Sequence, residues 1–167
     1  MALLDILTGT KHPSGDAVPR TPEELRSALL ALNGPQTPFR VRNATPAEGA
    51  DLVAEWSRTL PAGTGRLKER TVKIRMRLVP ETREVRALEE LWEVTSVALG
   101  NTPGATVNRT YNRGRVADGR EWTWDRGPDG RMRKTEVIRD RPAEMKRPVQ
   151  GAVLDAGWTW RGVLFRL

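Results

Sequence analysis

The sequence contains no cysteine, and histidine occurs only once in its 167 residues. Without cysteine the chain can form no disulfide, no thiolate nucleophile and no thiolate metal site, which is in keeping with a reducing cytosol. His12 lies in a linker rich in proline and glycine, and no second imidazole is present to complete a zinc site. A Ser-His-Asp triad would need this same histidine. We therefore predict no metal site, no cofactor and no nucleophilic catalytic site.

The sequence also lacks a long hydrophobic run. No apolar stretch approaches the roughly 20 residues that a membrane-spanning helix needs. The opening segment, Met1–Leu7, is too short for an export signal and carries an acid where a basic leader is required. Hydrophobic residues make up 38% and charged residues 29% of the chain, which is typical of a globular domain. We therefore expect a cytoplasmic protein without transmembrane insertion.

Lysine is scarce, since 23 of the 28 basic residues are arginine, and the formal net charge is +7. A basic chain suggests nucleic acid or an anionic membrane surface as a partner. However, abundant arginine, alanine, glycine and proline are also what a GC-rich bacterial genome produces. The two basic stretches, residues 66–86 and 105–147, are strand-like and interleaved with acids, so they do not form a solvated basic arm.

A helix is predicted to begin at Thr21–Glu24, which supplies a capping threonine, a first-turn proline and the glutamate of a capping box. Leu25, Leu29 and Leu32 follow at helical spacing, and Gly34-Pro35 is a typical end. Before this helix we predict an N-terminal segment and linker, residues 1–20, and after it one domain that extends over residues 21–167.

Beyond Pro38 the hydrophobic period changes from helical to twofold. The clearest strand is Val72–Leu78, in which four apolar residues alternate with Lys73, Arg75 and Arg77. The segment that follows, residues 85–98, fits both a helix and a strand. We favour a strand, because a short turn after a strand most often makes a hairpin.

Residues 105–139 are predicted to form strands joined by tight turns at Asp118-Gly119 and Pro128–Gly130. A C-terminal helix is predicted to begin at Arg147-Pro148 and to end at Gly157, and a last strand follows it. This order of elements predicts an α+β fold. We expect a curved, mainly antiparallel sheet with an N-terminal helix, and a C-terminal helix packed on the apolar face of the sheet.

Four segments of the chain resemble those of a family of small, uncharacterised bacterial proteins that end in a Gly-Trp-x-Trp-Arg-Gly segment. These segments are Leu52–Trp56, Val72–Leu78, Glu84–Ala87 and Gly157–Val163. The resemblance covers about residues 38–167 and implies the extent of the domain and its strands. It implies no activity and no binding residues.

Three glutamates are the candidates for catalysis. Glu89 and Glu93 share a face whether their segment is a helix, with β-carbons roughly 5–6 Å apart, or a strand, where they are about 13 Å apart. Only the helical spacing approaches that of a two-carboxylate hydrolase. Glu55 is a further candidate, although its strand parity favours the solvent face. The alternative interpretation is a solvated acidic stripe that balances the neighbouring cationic strand.

Six tryptophans are present, and four of them lie in two Trp-Thr-Trp triplets, residues 122–124 and 158–160. Alternation places both tryptophans of a triplet on one face of a strand. We favour a place in the core under the C-terminal helix, since large aromatic side chains dominate protein cores. The alternative is an exposed aromatic shelf, flanked by arginines, that stacks bases or binds a polyanion.

Because no catalytic constellation is visible, we interpret the protein as a non-enzymatic binding or interaction module that uses its basic sheet face. The first alternative is binding of nucleic acid or anionic lipid, and the second is a carboxylate-dependent hydrolase or isomerase. The partner is then a protein or a polyanion, and homodimerisation through an unpaired sheet edge stays open. The candidate binding residues are Lys73, Arg75, Arg77, Arg109, Arg113, Arg115, Trp122, Trp124, Trp158 and Trp160.

Overall fold

The computed structural model describes residues 3–61, 66–97, 106–114, 116, 119–140 and 142–167. The side chains of residues 4, 61, 106, 119–125 and 135–140 lie outside this description. Three α-helices are described, α1 (Leu3–Thr8), α2 (Pro22–Leu30) and α3 (Ala143–Asp155), together with a 3₁₀ helix, Pro46–Glu48. The strands are β1 (Arg40–Asn43), β2 (Leu52–Pro61), β3 (Arg66–Val79), β4 (Glu84–Val97), β5 (Thr106–Arg113), β6 (Gly119–Arg126), β7 (Met132–Asp140) and β8 (Thr159–Val163).

The main sheet has six strands, and five of them follow the order β1-β2-β3-β4-β5 with antiparallel neighbours. Strand β8 pairs with β4 in parallel along Glu84–Leu88, and β5 pairs with β4 along Glu90–Val97. Since β3 occupies the other edge of β4, β5 and β8 share one edge. Strands β6 and β7 form a separate hairpin. The α+β fold with an open, curved and mainly antiparallel sheet is therefore confirmed.

The alternation predicted for Val72–Leu78 defines the two faces of the sheet. Val72, Ile74 and Met76 are at most 3% exposed and contribute to the core on the inner face. Lys73, Arg75 and Arg77 point to the opposite, outer face, because successive side chains of a strand alternate. The strand prediction is therefore confirmed.

The segment whose sequence fits both a helix and a strand forms strand β4. All 14 residues of β4 pair with β3, and the turn between the two strands is closed by Arg83 at a positive φ of 49°. This long antiparallel ladder satisfies the backbone of β4 along its whole length, so the helical alternative is wrong.

The two longer helices pack on the inner face. Thr21 accepts a hydrogen bond from the N–H of Glu24, whose side chain accepts one from the N–H of Thr21, so the predicted capping box is present. Helix α3 begins at Ala143 rather than at the predicted Arg147, and Pro148 lies inside it. The reason is tertiary, because the turn before Pro148 contains the fully buried Met145. The predicted C-terminal helix on the apolar face is confirmed.

Trp158 and Trp160 are buried in this core, with exposed fractions of 1% and 0%. Trp160 lies beside Val85 in the parallel ladder, which places its ring on the inner face. The indole N–H of Trp158 donates to the carbonyl of Arg20 over 2.8 Å. The core interpretation therefore applies to this triplet, and neither side chain is available as a surface binding residue. The side chains of Trp122 and Trp124 lie outside the described residues.

The described part of the N-terminal segment is attached to β8. Lys11 and Trp160 each donate a backbone hydrogen bond of 2.8 Å to the carbonyl of the other. Gly162 lies so close to Thr8 that an added β-carbon would be 1.9 Å from the Thr8 carbonyl oxygen. Thr8 and Lys11 thus lie along the edge of β8 that faces away from β4. None of the helices in the described ranges combines the length and the apolarity needed to cross a membrane.

Candidate binding site on the outer face of the sheet

The cations predicted as the contact surface do point outward, but acids from neighbouring strands neutralise part of their charge. Lys73 lies opposite Glu55 of β2, with its Nζ 3.9 Å from a carboxylate oxygen, and Arg75 forms an ion pair with Glu90 of β4. Arg77 donates to the carbonyl of Gly49 over 2.8 Å. The basic stripe is therefore present, yet it is not an unopposed positive surface, because cross-strand positions carry opposite charge.

A third arginine of the outer face, Arg42, holds the 3₁₀ helix over the sheet. Its guanidinium donates to both oxygens of Glu48 over 2.9 and 2.7 Å, and to both oxygens of Glu55 over 3.1 Å. The hydrogen bond from Arg42 is the main cause that lowers the pKa of Glu48 to about 2, and the N–H of Thr45 contributes. The two carboxylates raise the pKa of Arg42 in turn. This charged cluster fixes one wall of a groove.

The groove has a volume of about 310 Å³ and lies between the 3₁₀ helix and β5. It contains three cations, two acids, two aromatic rings and one small apolar residue. These lining residues are Ala47, Glu48, Lys73, Arg75, Glu90, Trp92, Tyr111 and Arg113.

An exposed aromatic pair forms one side of the groove. Trp92 of β4 and Tyr111 of β5 lie directly opposite each other, with ring centroids 4.2 Å apart. They are 44% and 37% exposed, whereas Trp158 and Trp160 are buried. The Arg113 guanidinium lies 5.5 Å from the centroid of the Tyr111 ring. Large apolar surface next to a cation is thus open to solvent here.

Hydrogen bonds connect the aromatic pair to the charged residues. The Tyr111 hydroxyl donates to Glu90 over 2.7 Å and accepts from Arg113 Nε over 2.9 Å. This contact with Tyr111 is the main cause that raises the pKa of Arg113. Glu90 is 4% exposed, and its carboxylate accepts hydrogen bonds from the Tyr111 hydroxyl and from the Arg75 guanidinium. The anions of the groove are thus held by internal donors, while Lys73 and Arg113 keep donors for an external group.

The remaining predicted binding residues are distributed as follows. Arg109 and Arg113 lie on exposed positions of β5, and Arg109 is outside the groove lining. In the described part of the chain, no carboxylate lies within 4 Å of the guanidinium of either arginine. Arg115 falls outside the described residues.

Sequence reasoning missed Trp92, Tyr111 and Glu90 as members of the site. Trp92 carried a weak signal, because it alternates with Val94 in a segment read as a strand. No sequence signal indicated that Trp92 would contact Tyr111, because the residues that join β4 to β5 do not reveal which residues of the two strands become neighbours. The register of the two strands creates this pair.

The three catalytic candidates do not form one site. Glu89 and Glu93 lie on the inner face, where Glu89 pairs with Lys146 and Glu93 pairs with Arg70. Glu55 lies on the outer face. The strand geometry separates Glu89 and Glu93 by about 13 Å, so the helical spacing expected of a two-carboxylate hydrolase is absent. The alternative of a solvated stripe is wrong for Glu89, which is 6% exposed and accepts a hydrogen bond from the N–H of Val116.

Among the residues that the structure describes, no group of three His, Cys, Asp or Glu side chains could hold a metal ion. A scan against protein-family models matched no family, and searches of curated proteins and of solved structures found no match. The resemblance to a bacterial family therefore stays a prediction, and functional inference depends on the geometry of the outer face.

Proposed function

We propose that this protein is a non-catalytic binding module, and that the groove on the outer face receives an acidic segment of a protein partner. The observation that supports this most directly is the exposed pair of Trp92 and Tyr111 beside Arg113. Tryptophan, tyrosine and arginine are the residues that dominate binding energy at protein interfaces. A cysteine-free chain needs no oxidising compartment, which supports a cytoplasmic setting for this role.

The charge arrangement favours a carboxylate with an apolar neighbour. Lys73 is 30% exposed at its side chain and has only a distant acid at 3.9 Å, so its ammonium can accept a second anionic partner. Arg113 lies at the other end of the groove lining, next to the aromatic rings. An acidic side chain can reach Arg113 while a flanking apolar side chain contacts the aromatic pair.

The same arrangement argues against a nucleic-acid backbone. Glu48, Glu55 and Glu90 lie on the outer face among the cations, and a run of phosphates would have to pass over them. Like charges at close range disfavour such a partner. Single carboxylates spaced along a peptide meet less repulsion from these acids than a continuous run of phosphates does.

The experiment is a calorimetric titration with a blocked peptide, Glu-Thr-Val-Thr-Glu-Thr-Val, and with its lysine-for-glutamate counterpart. We expect only the acidic peptide to bind. We expect Arg113→Gln and Trp92→Thr each to weaken binding roughly tenfold, the usual effect of losing an interface anchor.

Arg40→Gln is the matched control, since Arg40 is an exposed arginine of the same face outside the groove. This variant should bind like the parent chain. Tighter binding of a single-stranded oligonucleotide than of the peptide would contradict the proposal, and so would equal losses in Arg113→Gln and Arg40→Gln.

A further inference from the structure

Strand β5 ends the main sheet on the side of the groove. Its one strand neighbour among the described residues is β4, so its far edge is unpaired within the part of the chain that the structure describes. All residues from Val107 to Arg113 are exposed. An unpaired edge presents a row of free N–H and C=O groups to which another strand can add.

The register shows which backbone groups face that free edge. The N–H of Gly114 donates to the carbonyl of Glu89 over 2.9 Å, in line with the β4–β5 register. In an antiparallel pair, the backbone groups of alternate residues form hydrogen bonds to the neighbouring strand. The N–H and C=O groups of the even-numbered residues Asn108, Thr110 and Asn112 therefore bond to β4. The N–H and C=O groups of the odd-numbered residues, from Val107 to Arg113, therefore point to the free edge.

The same odd-numbered residues carry their side chains on the outer face. Tyr111 lies opposite Trp92 and lines the groove with Arg113, and Arg109 lies opposite Val94. Along the edge the order is therefore apolar, cationic, aromatic, cationic. Residues that face each other across an antiparallel ladder share a face, so an added strand would place its own alternate side chains beside these four.

We propose that the partner segment adds to the sheet as an antiparallel strand along β5, with the sequence pattern acid-x-apolar-x-acid-x-apolar. The two acids lie opposite Arg113 and Arg109, and the two apolar residues lie opposite Tyr111 and Val107. The acidic character of the partner rests on the function proposed above. The mode of binding rests on the unpaired edge and its register, which are separate observations.

Charge excludes a second copy of this chain as the occupant. Pairing two β5 edges would bring the arginines of one copy next to those of the other, with no acid on either edge strand. Like charges on neighbouring strands are destabilising, and charged edges are a common protection against self-association. A strand with acids at the matching positions removes this repulsion.

The test uses the same peptide, Glu-Thr-Val-Thr-Glu-Thr-Val, with single N-methyl groups on its backbone. In the proposed register the N–H of its third residue bonds to Tyr111, while the N–H of its fourth residue faces solvent. N-methylation of the third residue should weaken binding roughly tenfold, and N-methylation of the fourth should change it less than about twofold. These peptide changes leave the folding of the protein untouched.

A spacing control keeps the composition and moves the second acid, giving Glu-Thr-Val-Glu-Thr-Thr-Val. This peptide places its acids on opposite faces of a strand and should bind roughly tenfold more weakly. Arg109→Gln should weaken binding of the parent peptide although Arg109 lies outside the groove. Amide hydrogen exchange should slow at Arg109 and Tyr111 on binding, and should change little at Thr110, which already bonds to β4.

Equal effects of the two N-methyl groups, together with equal affinity for the two spacings, would overturn strand addition. If Arg113→Gln and Trp92→Thr still weakened binding, the groove function would survive that result. A chain that is dimeric in sedimentation experiments and does not bind the peptide would show the edge to be occupied by a second copy, which would also overturn the inference.

Discussion

Single charged residues on this molecule act through partners that are distant in sequence. Glu48 belongs to a three-residue helix that has little stability of its own, and its carboxylate holds that helix to Arg42 of β1. Glu89 projects into the core and is kept there by Lys146 of α3. Burial of a carboxylate is costly unless a donor compensates it, so such acids need a defined partner.

Glu48→Gln should make the stability of the protein less dependent on pH. Folding lowers the pKa of Glu48 from 4.5 to about 2, so its contribution is complete above pH 4.5 and is lost as the pH falls toward 2. We expect the substitution to cost about 1.5–3 kcal/mol of unfolding free energy at pH 7, the value of a hydrogen bond to a charged group.

Urea unfolding of both proteins at pH 7 and near pH 2 checks this expectation. The unfolding free energies of the parent protein and of Glu48→Gln should be nearly equal near pH 2. Glu81→Gln, at an exposed turn position, serves as the control and should differ from the parent by less than about 0.5 kcal/mol. A loss in Glu48→Gln that is the same at both pH values would contradict the role given to ionisation.

At the scale of the elements, β8 connects the N-terminal segment to the main sheet. It pairs with β4 on one side and with Lys11 on the other, and it carries the buried Trp160, two residues after the buried Trp158. Helix α1 can approach it closely only where β8 has no side chain. Gly162 provides that position.

Gly162→Ala should therefore be strongly destabilising. The added carbon would meet the Thr8 carbonyl oxygen at 1.9 Å, a backbone contact that no rotamer change relieves. We expect a loss of about 2 kcal/mol or more, or separation of α1 from β8, since overpacking of this kind typically costs 1–3 kcal/mol.

Gly151→Ala is the matched control. Gly151 lies within α3, and an added β-carbon would contact nothing within 4 Å. This variant should gain up to about 1 kcal/mol, because alanine has the higher helix propensity. Thermal unfolding measures both changes, and equal shifts of the melting temperature in the two variants would refute the packing argument.

For the molecule as a whole, the N-terminal segment and the C-terminal strand form one connected structure. The carbonyl of Arg20 accepts the indole N–H of Trp158, and the N–H of Arg20 donates to Ala156 over 2.9 Å. The two ends of the chain are therefore expected to unfold together with the core.

Deletion of residues 1–20 should consequently destabilise the whole molecule rather than remove an inert linker. Trp158 would keep a buried indole N–H without its acceptor, and the edge of β8 would lose its pairing with Lys11. The orphaned donor alone should cost about 2 kcal/mol.

Circular dichroism and tryptophan fluorescence during thermal unfolding provide the measurement. Lys11→Ala, which keeps the backbone pairing, is the control and should retain a melting temperature close to that of the parent chain. An unchanged melting temperature in the shortened chain would mean that residues 21–167 form the domain without help from the N-terminal segment.

The sequence by itself determined the elements whose signals are local. The capping box at Thr21 and the alternation in Val72–Leu78 involve residues within a few positions of one another, and the structure confirms both. The α+β class followed from the order of such elements. Hydrophobic period and cap chemistry operate over short distances along the chain, so they can be read without knowing the fold.

Only the tertiary structure decided the candidate site. Trp92 meets Tyr111 through the register of β4 and β5, and the early start of α3 before Pro148 depends on the burial of Met145. The same holds for the acids that neutralise the outer face, since Glu90 reaches Arg75 only when their strands align. Strand register and helix packing depend on the whole chain at once, and a one-residue slip would send each of these side chains to the other face.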